Sequence, residues 1–181
     1  MDKTLHTPDG QPGAAGERRA QFLRFVQRLD ECLEPHLGRI AYGNLRRQVF
    51  DGHESLDDTS NVAIVYETPG GSTDQINVVY EHHTGTFHMV QEHEEFTDHN
   101  PERVLESIRR RINAIPRKRQ RRLREQVDRW LNEGRSRGQM FAEVNRLLQS
   151  GLRGGSITAA EMRDVVRYIV RKHTHRPLNP Q

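Results

Sequence analysis

The spacing of apolar residues changes twice along this chain, and that change limits the folds it can adopt. Between 22 and 33, apolar side chains recur every three or four residues, as on one face of a helix. Between 61 and 92 they gather in three short segments rich in β-branched and aromatic residues, which is typical of strands. From 104 to 170 the helical spacing returns. The sequence therefore predicts an α+β fold, with an N-terminal helix, a three-stranded antiparallel meander and about four C-terminal helices.

Turn-forming residues join the predicted strands, which cover 61–68, 75–82 and 86–92. A two-residue turn at Thr84 and Gly85 would place Tyr80 opposite Met89. On this register one face of the sheet is apolar and the other is mostly polar, as in a sheet that helices cover on one side. Residues 39–60 fit either a short strand or another helix.

Four helices are predicted after the strands. Asn100 and Pro101 begin the first of them, and Pro116 is expected to break or kink it, so that another helix starts there. Thr158 and Glu161 form a capping box at the start of the last helix. We expect four segments, namely a disordered tail at 1–16, an α+β domain at 17–115, a helical extension at 116–173 and a tail at 174–181.

Charge is unevenly distributed along the sequence. Residues 1–100 carry 8 basic and 17 acidic side chains, a net charge of −9, whereas residues 101–181 carry 20 and 8, a net charge of +12. Ten Lys or Arg residues fall between 103 and 124, and none falls between 49 and 101. A concentrated positive field of this kind attracts polyanions, so the basic segment is the strongest indication of a partner.

Four explanations for the basic segment are open. Six of its cations lie within 116–124, which the predicted boundary places in the first two turns of a helix, where the macrodipole opposes positive charge. These cations could meet phosphates, the acidic stretch 92–98 of the same chain, or carboxylates of another protein. They could also form a solvated charged face.

The leading hypothesis is a non-enzymatic protein that binds RNA or a ribonucleoprotein through this basic helical surface, with no catalytic residue and no cofactor. Neither a helix-turn-helix turn, nor zinc-finger spacing, nor an aromatic RNA-binding motif accompanies the charge, so no sequence readout is implied. The predicted nucleic-acid-binding residues are Arg109, Arg110, Arg111, Arg117, Lys118, Arg119, Arg121, Arg122 and Arg124.

Two alternatives remain open. In the first, the apolar stripes of the last helices pair with another protein or a second copy, and the anchors are Trp130, Phe141 and Tyr168. In the second, a metal-dependent enzyme uses the five histidines and five carboxylates between 81 and 99, with Glu81 opposite His88. Solvated polar side chains are the simpler explanation of this cluster, so we predict no metal site.

The expected location follows from cysteine content and hydropathy. The single cysteine, Cys32, lies on the apolar stripe of the first helix, which predicts a buried thiol in a reducing compartment. The sequence shows neither an apolar run long enough to cross a membrane nor a secretory signal. We therefore expect a soluble cytoplasmic protein without a membrane partner.

The order of predicted elements over residues 17–124 is a helix, a three-stranded meander and a long basic helix. This order resembles the arrangement in double-stranded-RNA-binding domains and, more distantly, in ribosome-hibernation factors. The resemblance implies RNA rather than DNA as the ligand. It transfers no binding residue, because Asn100-Pro101-Glu102-Arg103 stands where the first family carries a glycine-serine-lysine-lysine box.

Overall fold

The computed structural model describes residues 14–52, 58–150 and 155–174. The α-helices within these residues are α1 (Ala14–Leu33), α2 (Pro101–Asn132), α3 (Arg137–Gln149) and α4 (Ala159–Thr174), and two short 3-10 helices span Glu34–His36 and Ile40–Tyr42. The strands are β1 (Arg46–Phe50), β2 (Thr59–Glu67), β3 (Thr73–Glu81), β4 (Thr86–Gln91) and β5 (Glu94–Asp98). Of the predicted tails, residues 1–13 and 175–181 lie outside the described residues, whereas 14–16 belong to α1 and Thr174 ends α4.

The strands form one antiparallel sheet in the order β1-β2-β3-β4-β5. The predicted mixture of helices and antiparallel sheet is confirmed, but the sheet has five strands where the sequence predicts three. β1 falls in the stretch that fitted either a strand or a helix. β5 was not predicted because Phe96 is the one apolar residue in the segment Glu94–Asp98, and such a polar edge strand resembles a loop.

The turn between β3 and β4 spans four residues, 82–85, instead of the predicted two. Tyr80 therefore lies opposite Phe87, and Val78 lies opposite Met89. The predicted pairing is wrong by two residues. Because successive side chains of a strand alternate between the two faces, an error of two leaves every side chain on its predicted face.

A single helix, α2, runs from Pro101 to Asn132 and carries Pro116 inside it. The prediction that Pro116 separates two helices is wrong, and within the described residues three α-helices follow the sheet rather than four. Proline in a helix interior costs about 3 kcal/mol. Packing on both sides offsets this cost, since Ile115 is buried before the proline and Leu123 after it.

Apolar residues gather in two buried clusters. The first lies between one face of the sheet, α1 and the first half of α2, and includes Phe22 and Ile108. The second lies among the second half of α2, α3 and α4, and includes Val127 and Ile169. Cys32, which the sequence predicts to be buried, is half-buried. Since α2 contributes to both clusters, the basic segment within it lies at their junction.

The predicted caps at the starts of α2 and α4 are confirmed. Asn100 Oδ1 accepts the backbone N–H of Glu102 at 2.9 Å. The Thr158 hydroxyl accepts the backbone N–H of Glu161 at 3.1 Å, and the Glu161 carboxylate accepts the backbone N–H of Thr158 at 2.7 Å. These bonds satisfy amide donors that have no partner inside the helix.

Candidate nucleic-acid interface

The basic segment lies in the middle of a helix and not at its start. Arg117 and the cations that follow it are near the midpoint of the 32-residue α2. The macrodipole acts on charges within the first and last turns of a helix. The expected dipole penalty therefore does not apply, and the contacts of each cation decide what it can do.

Arg119 is buried, with 1 % of its surface exposed. Its guanidinium pairs with the Glu161 carboxylate at 3.0 Å and donates to the backbone carbonyls of Glu67 and Ser156. A buried cation is stable only with such a set of partners. Arg119 thus joins the end of β2 to the start of α4 and cannot reach an external ligand, which corrects its place among the predicted binding residues.

Gly43 makes room for this arginine. Its φ is +63°, and a Cβ atom there would lie 2.1 Å from the Glu67 carbonyl oxygen and 2.8 Å from Arg119 Nη1. Only glycine accepts both the backbone conformation and the space. Sequence reasoning missed the pair because a glycine in a stretch of uncertain structure does not identify its neighbour.

Glu92 in the turn between β4 and β5, together with Glu94 at the start of β5, neutralises three of the predicted binding residues. Glu92 lies 3.2 Å from Lys118 Nζ and 2.9 Å from Arg122 Nη2. Glu94 lies 2.8 Å from Arg111 Nη1. Of the four explanations for the basic segment, pairing with the acidic stretch of the same chain therefore holds for these three cations.

Arg122 also reaches a polar network at the buried face of the sheet. Its Nη2 lies 3.1 Å from Asp74, which accepts the Tyr66 hydroxyl at 2.6 Å. Gln91 donates to the Tyr66 oxygen at 3.1 Å and accepts from Arg111 at 3.1 Å. Burial, followed by the hydrogen bond to Asp74, raises the pKa of Tyr66. The network holds Arg111 and Arg122 against the sheet.

Other predicted binding residues are exposed but weakly paired. Arg109 and Arg110 lie 2.8 and 4.0 Å from the same carboxylate, Glu106. Arg121 lies 3.5 Å from Glu125. Exposed pairs three or four residues apart on a helix contribute only about 0.2–0.5 kcal/mol. An external anion can therefore compete for these three arginines.

Arg124 and Arg117 lie on the side of α2 that adjoins α4. Arg124 donates through Nε and Nη2 to the Asp164 carboxylate at 3.1 and 2.9 Å, which links the two helices. Arg117 is exposed and forms no ion pair with any described residue. Of the nine predicted cations, Arg117 is thus the one that this part of the chain leaves without a carboxylate partner.

A row of arginines on α4 was not predicted. Arg163, Arg167 and Arg171 are exposed and form no ion pair within residues 14–52, 58–150 and 155–174. Residues four apart share a helix face and repeat about every 6 Å. Asp164, beside Arg163, pairs with Arg124, so this arginine row borders the outward side of α2. The four-residue spacing of these arginines can be seen in the sequence, but the prediction of binding residues was based on the denser basic segment at 103–124.

The predicted protein-interaction residues belong to the second apolar cluster. Trp130 is 5 % exposed within it, and Phe141 and Tyr168 pack against it while partly buried. Tyr168 also donates to Asp128 at 2.9 Å. The apolar stripes of α2, α3 and α4 cover one another, so Trp130 is not an exposed anchor and its predicted role is corrected.

The histidines and carboxylates of the β3–β4 hairpin do not converge. Among the described residues, no three His, Cys, Asp or Glu side chains are placed to hold a metal ion. Glu81 lies opposite Thr86 and not opposite His88, although His88 Nε2 is 3.4 Å from its carboxylate. His82 is buried, with Nε2 2.7 Å from the equally buried Ser60 hydroxyl. That pair belongs to the core rather than to an accessible site.

No protein-family model, curated protein or solved structure matches the chain. None of the helices in the described ranges combines the length and the apolar character that crossing a membrane requires. The observed sheet has five strands, whereas the resemblance to double-stranded-RNA-binding domains depends on three. The candidate interface therefore depends on the geometry and charge of the residues themselves.

Proposed function

We propose that this protein is a non-enzymatic RNA-binding protein whose binding surface combines the outward side of α2 with the arginine row of α4. The row carries the proposal, because its three guanidinium groups are exposed and have no carboxylate partner among the described residues. An arginine fork matches two phosphate oxygens at once. Unpaired guanidinium groups at regular intervals therefore suit a phosphate backbone.

Ion pairing within the chain divides the cations into two groups. Those held against the sheet or between helices are engaged by the fold and are Arg111, Lys118, Arg119, Arg122 and Arg124. Those left to an external ligand are unpaired or weakly paired. In the second half of α2 and on α4 they are Arg117, Arg121, Arg163, Arg167 and Arg171, and in the first half of α2 they are Arg109 and Arg110. The proposed surface is thus displaced from the predicted segment toward α4.

The observations favour a nucleic acid over an acidic protein segment. From Arg163 to Arg171 the row extends about 12 Å along the helix. The apolar residues of this helix, Val165 and Ile169, are buried in the second cluster. Protein interfaces depend on aromatic or apolar anchors at their centre, and no large apolar side chain of α4 is exposed.

Fluorescence anisotropy with a short structured RNA tests this proposal. One variant replaces the arginine row and is R163Q/R167Q/R171Q. The control removes the same charge from three exposed arginines that have carboxylate partners and are not among the predicted binding residues, and is R28Q/R103Q/R146Q. We expect the first variant to lose affinity about 10- to 100-fold, equivalent to roughly 1.4–2.8 kcal/mol. The control should stay within about threefold of the wild type, because its three arginines lie outside the proposed surface.

Three outcomes contradict the proposal. In the first, the wild-type protein does not bind the RNA at low salt. In the second, both variants lose affinity equally, which would show that only the net charge matters. In the third, polyglutamate displaces the RNA at an equal concentration of charges, which assigns the surface to acidic proteins.

A further inference from the structure

We infer that the face of the sheet opposite α1 and α2 is the contact surface of a symmetric dimer of this chain. The two helices pack on one face of the sheet and build the first apolar cluster there. On the other face, which we call the open face, Phe50 and Val90 are 56 % and 37 % exposed. This inference does not depend on RNA binding, since the open face lies on the side of the sheet away from α2.

The open face is poor in charge. Strand pairing places ten of its residues in two rows, which are Gln48-Ala63-Asn77-Val90-Glu95 and Phe50-Asn61-Val79-His88-Thr97. Glu95 is the one Asp, Glu, Lys or Arg among these ten, whereas 29 % of the chain consists of such residues. Depletion of charged residues marks the central part of protein interfaces.

A nucleic acid does not suit this face. Arg46 is the one lysine or arginine that strand pairing places there, and three acidic residues, Glu67, Glu81 and Glu95, lie on the same side. Single-stranded nucleic acids need several aromatic platforms together with a basic groove. Phe50 on the edge strand is a single aromatic residue, so the occupant is a protein surface of equally low charge.

A second copy of the chain fits the open face, because residues on the two sides of the central strand β3 complement each other in size and charge. A two-fold axis parallel to β3 places β1 of one copy over β5 of the other. Ala63 then faces Val90 of the second copy, a small residue against a larger one, and Val79 meets its own equivalent. At the edge, Gln48 on β1 faces Glu95 of the second copy, and Arg46, two residues or about 7 Å farther along β1, can reach that carboxylate with its long side chain. Size and charge are therefore matched at both the centre and the margin.

The area of the open face sets the expected strength of the dimer. Five strands about 4.8 Å apart span about 24 Å, and six residues along a strand span about 20 Å. Each copy therefore offers roughly 500 Å², and about 1,000 Å² in total is near the lower limit for a specific interface. We expect a dimer that dissociates on dilution, with a Kd on the order of 100 µM.

Sedimentation velocity of the full chain between about 10 µM and about 1 mM spans the expected Kd and tests the inference. Val79→Glu places two carboxylates on the two-fold axis and should leave the protein monomeric throughout. Leu23→Glu makes the same change at a residue of α1 that is 48 % exposed and should leave the dimer intact. Circular dichroism establishes that both variants are folded. A wild-type protein that stays monomeric over the whole range, or a Val79→Glu variant that dimerises normally, overturns the inference.

Charge reversal tests the arrangement of the two copies. Arg46→Glu brings a second carboxylate near Glu95 of the other copy at each margin and should weaken the dimer at least threefold, or about 0.7 kcal/mol. Adding Glu95→Arg restores opposite charges across the interface and should recover wild-type association. A double variant that associates no better than Arg46→Glu alone rejects the packing of β1 over β5.

Discussion

Arg119 connects the sheet to the C-terminal helices through one guanidinium group. It reaches the Glu67 carbonyl at the end of β2 and the Glu161 carboxylate in the first turn of α4. Glu161 in turn caps α4 by accepting the backbone N–H of Thr158. Removing the cation would leave a carboxylate that is 11 % exposed without its main partner. A buried ion pair broken on one side is far more costly than an exposed one.

We predict that Arg119→Met lowers the free energy of unfolding by about 3–5 kcal/mol, because the Glu161 carboxylate is left buried and uncompensated. Urea denaturation followed by circular dichroism measures the change. Arg121→Met, two residues away on the exposed side, is the matched control and should stay within about 0.5 kcal/mol of the wild type. Equal effects of the two substitutions would show that Arg119 has no special structural role.

The burial of Arg119 could have been predicted from the sequence. Ile115, Arg119, Leu123 and Val127 are spaced four apart, so on one continuous helix Arg119 lies on the apolar face. The predicted break at Pro116 assigned Ile115 and Leu123 to different helices, so the shared apolar face that contains Arg119 was not recognised. The pairing of Arg122 with Asp74 could not be predicted, because it depends on which strand lies beneath α2.

At the scale of elements, apolar periodicity and capping residues identified most of the helices, whereas the edge strand β5 was missed. α1, α3 and α4 follow the predicted apolar spacing, and the caps at Asn100 and Thr158 are present. β5 has too few apolar residues to be recognised, since edge strands need not alternate strongly. In α2, packing on both sides of Pro116 outweighs the local preference of proline.

We predict that Pro116→Ala raises the free energy of unfolding by about 1–3 kcal/mol, because alanine restores an amide donor and removes the steric conflict with the preceding turn. The gain is partly offset by the greater freedom of the unfolded chain without proline. Thermal and urea denaturation measure the difference. An unchanged or lower stability would mean that α2 requires the proline for its packing.

At the scale of the whole molecule, much of the uneven charge stabilises the fold. Acidic residues of the first hundred positions meet basic residues that come later, as in the pairs of Glu92 with Lys118 and Glu94 with Arg111. The net charge of +9 within residues 103–124 therefore overstates the positive field that a ligand meets. The total charge of the segment can be counted from the sequence, but the number of unpaired cations cannot, because ion pairing depends on which residues lie close together in the folded chain.

The salt dependence of RNA affinity gives the number of cations that contact phosphates, because each contact makes the slope of log affinity against log salt more negative by about 0.7–0.9. For Arg117, Arg121 and the arginine row we expect a wild-type slope of about −4, and R163Q/R167Q/R171Q should reduce its magnitude by about 2–3. R28Q/R103Q/R146Q should keep the wild-type slope. An unchanged slope in the arginine-row variant, or a wild-type slope near −8 that requires all nine predicted cations, would contradict binding through the unpaired arginines of α4.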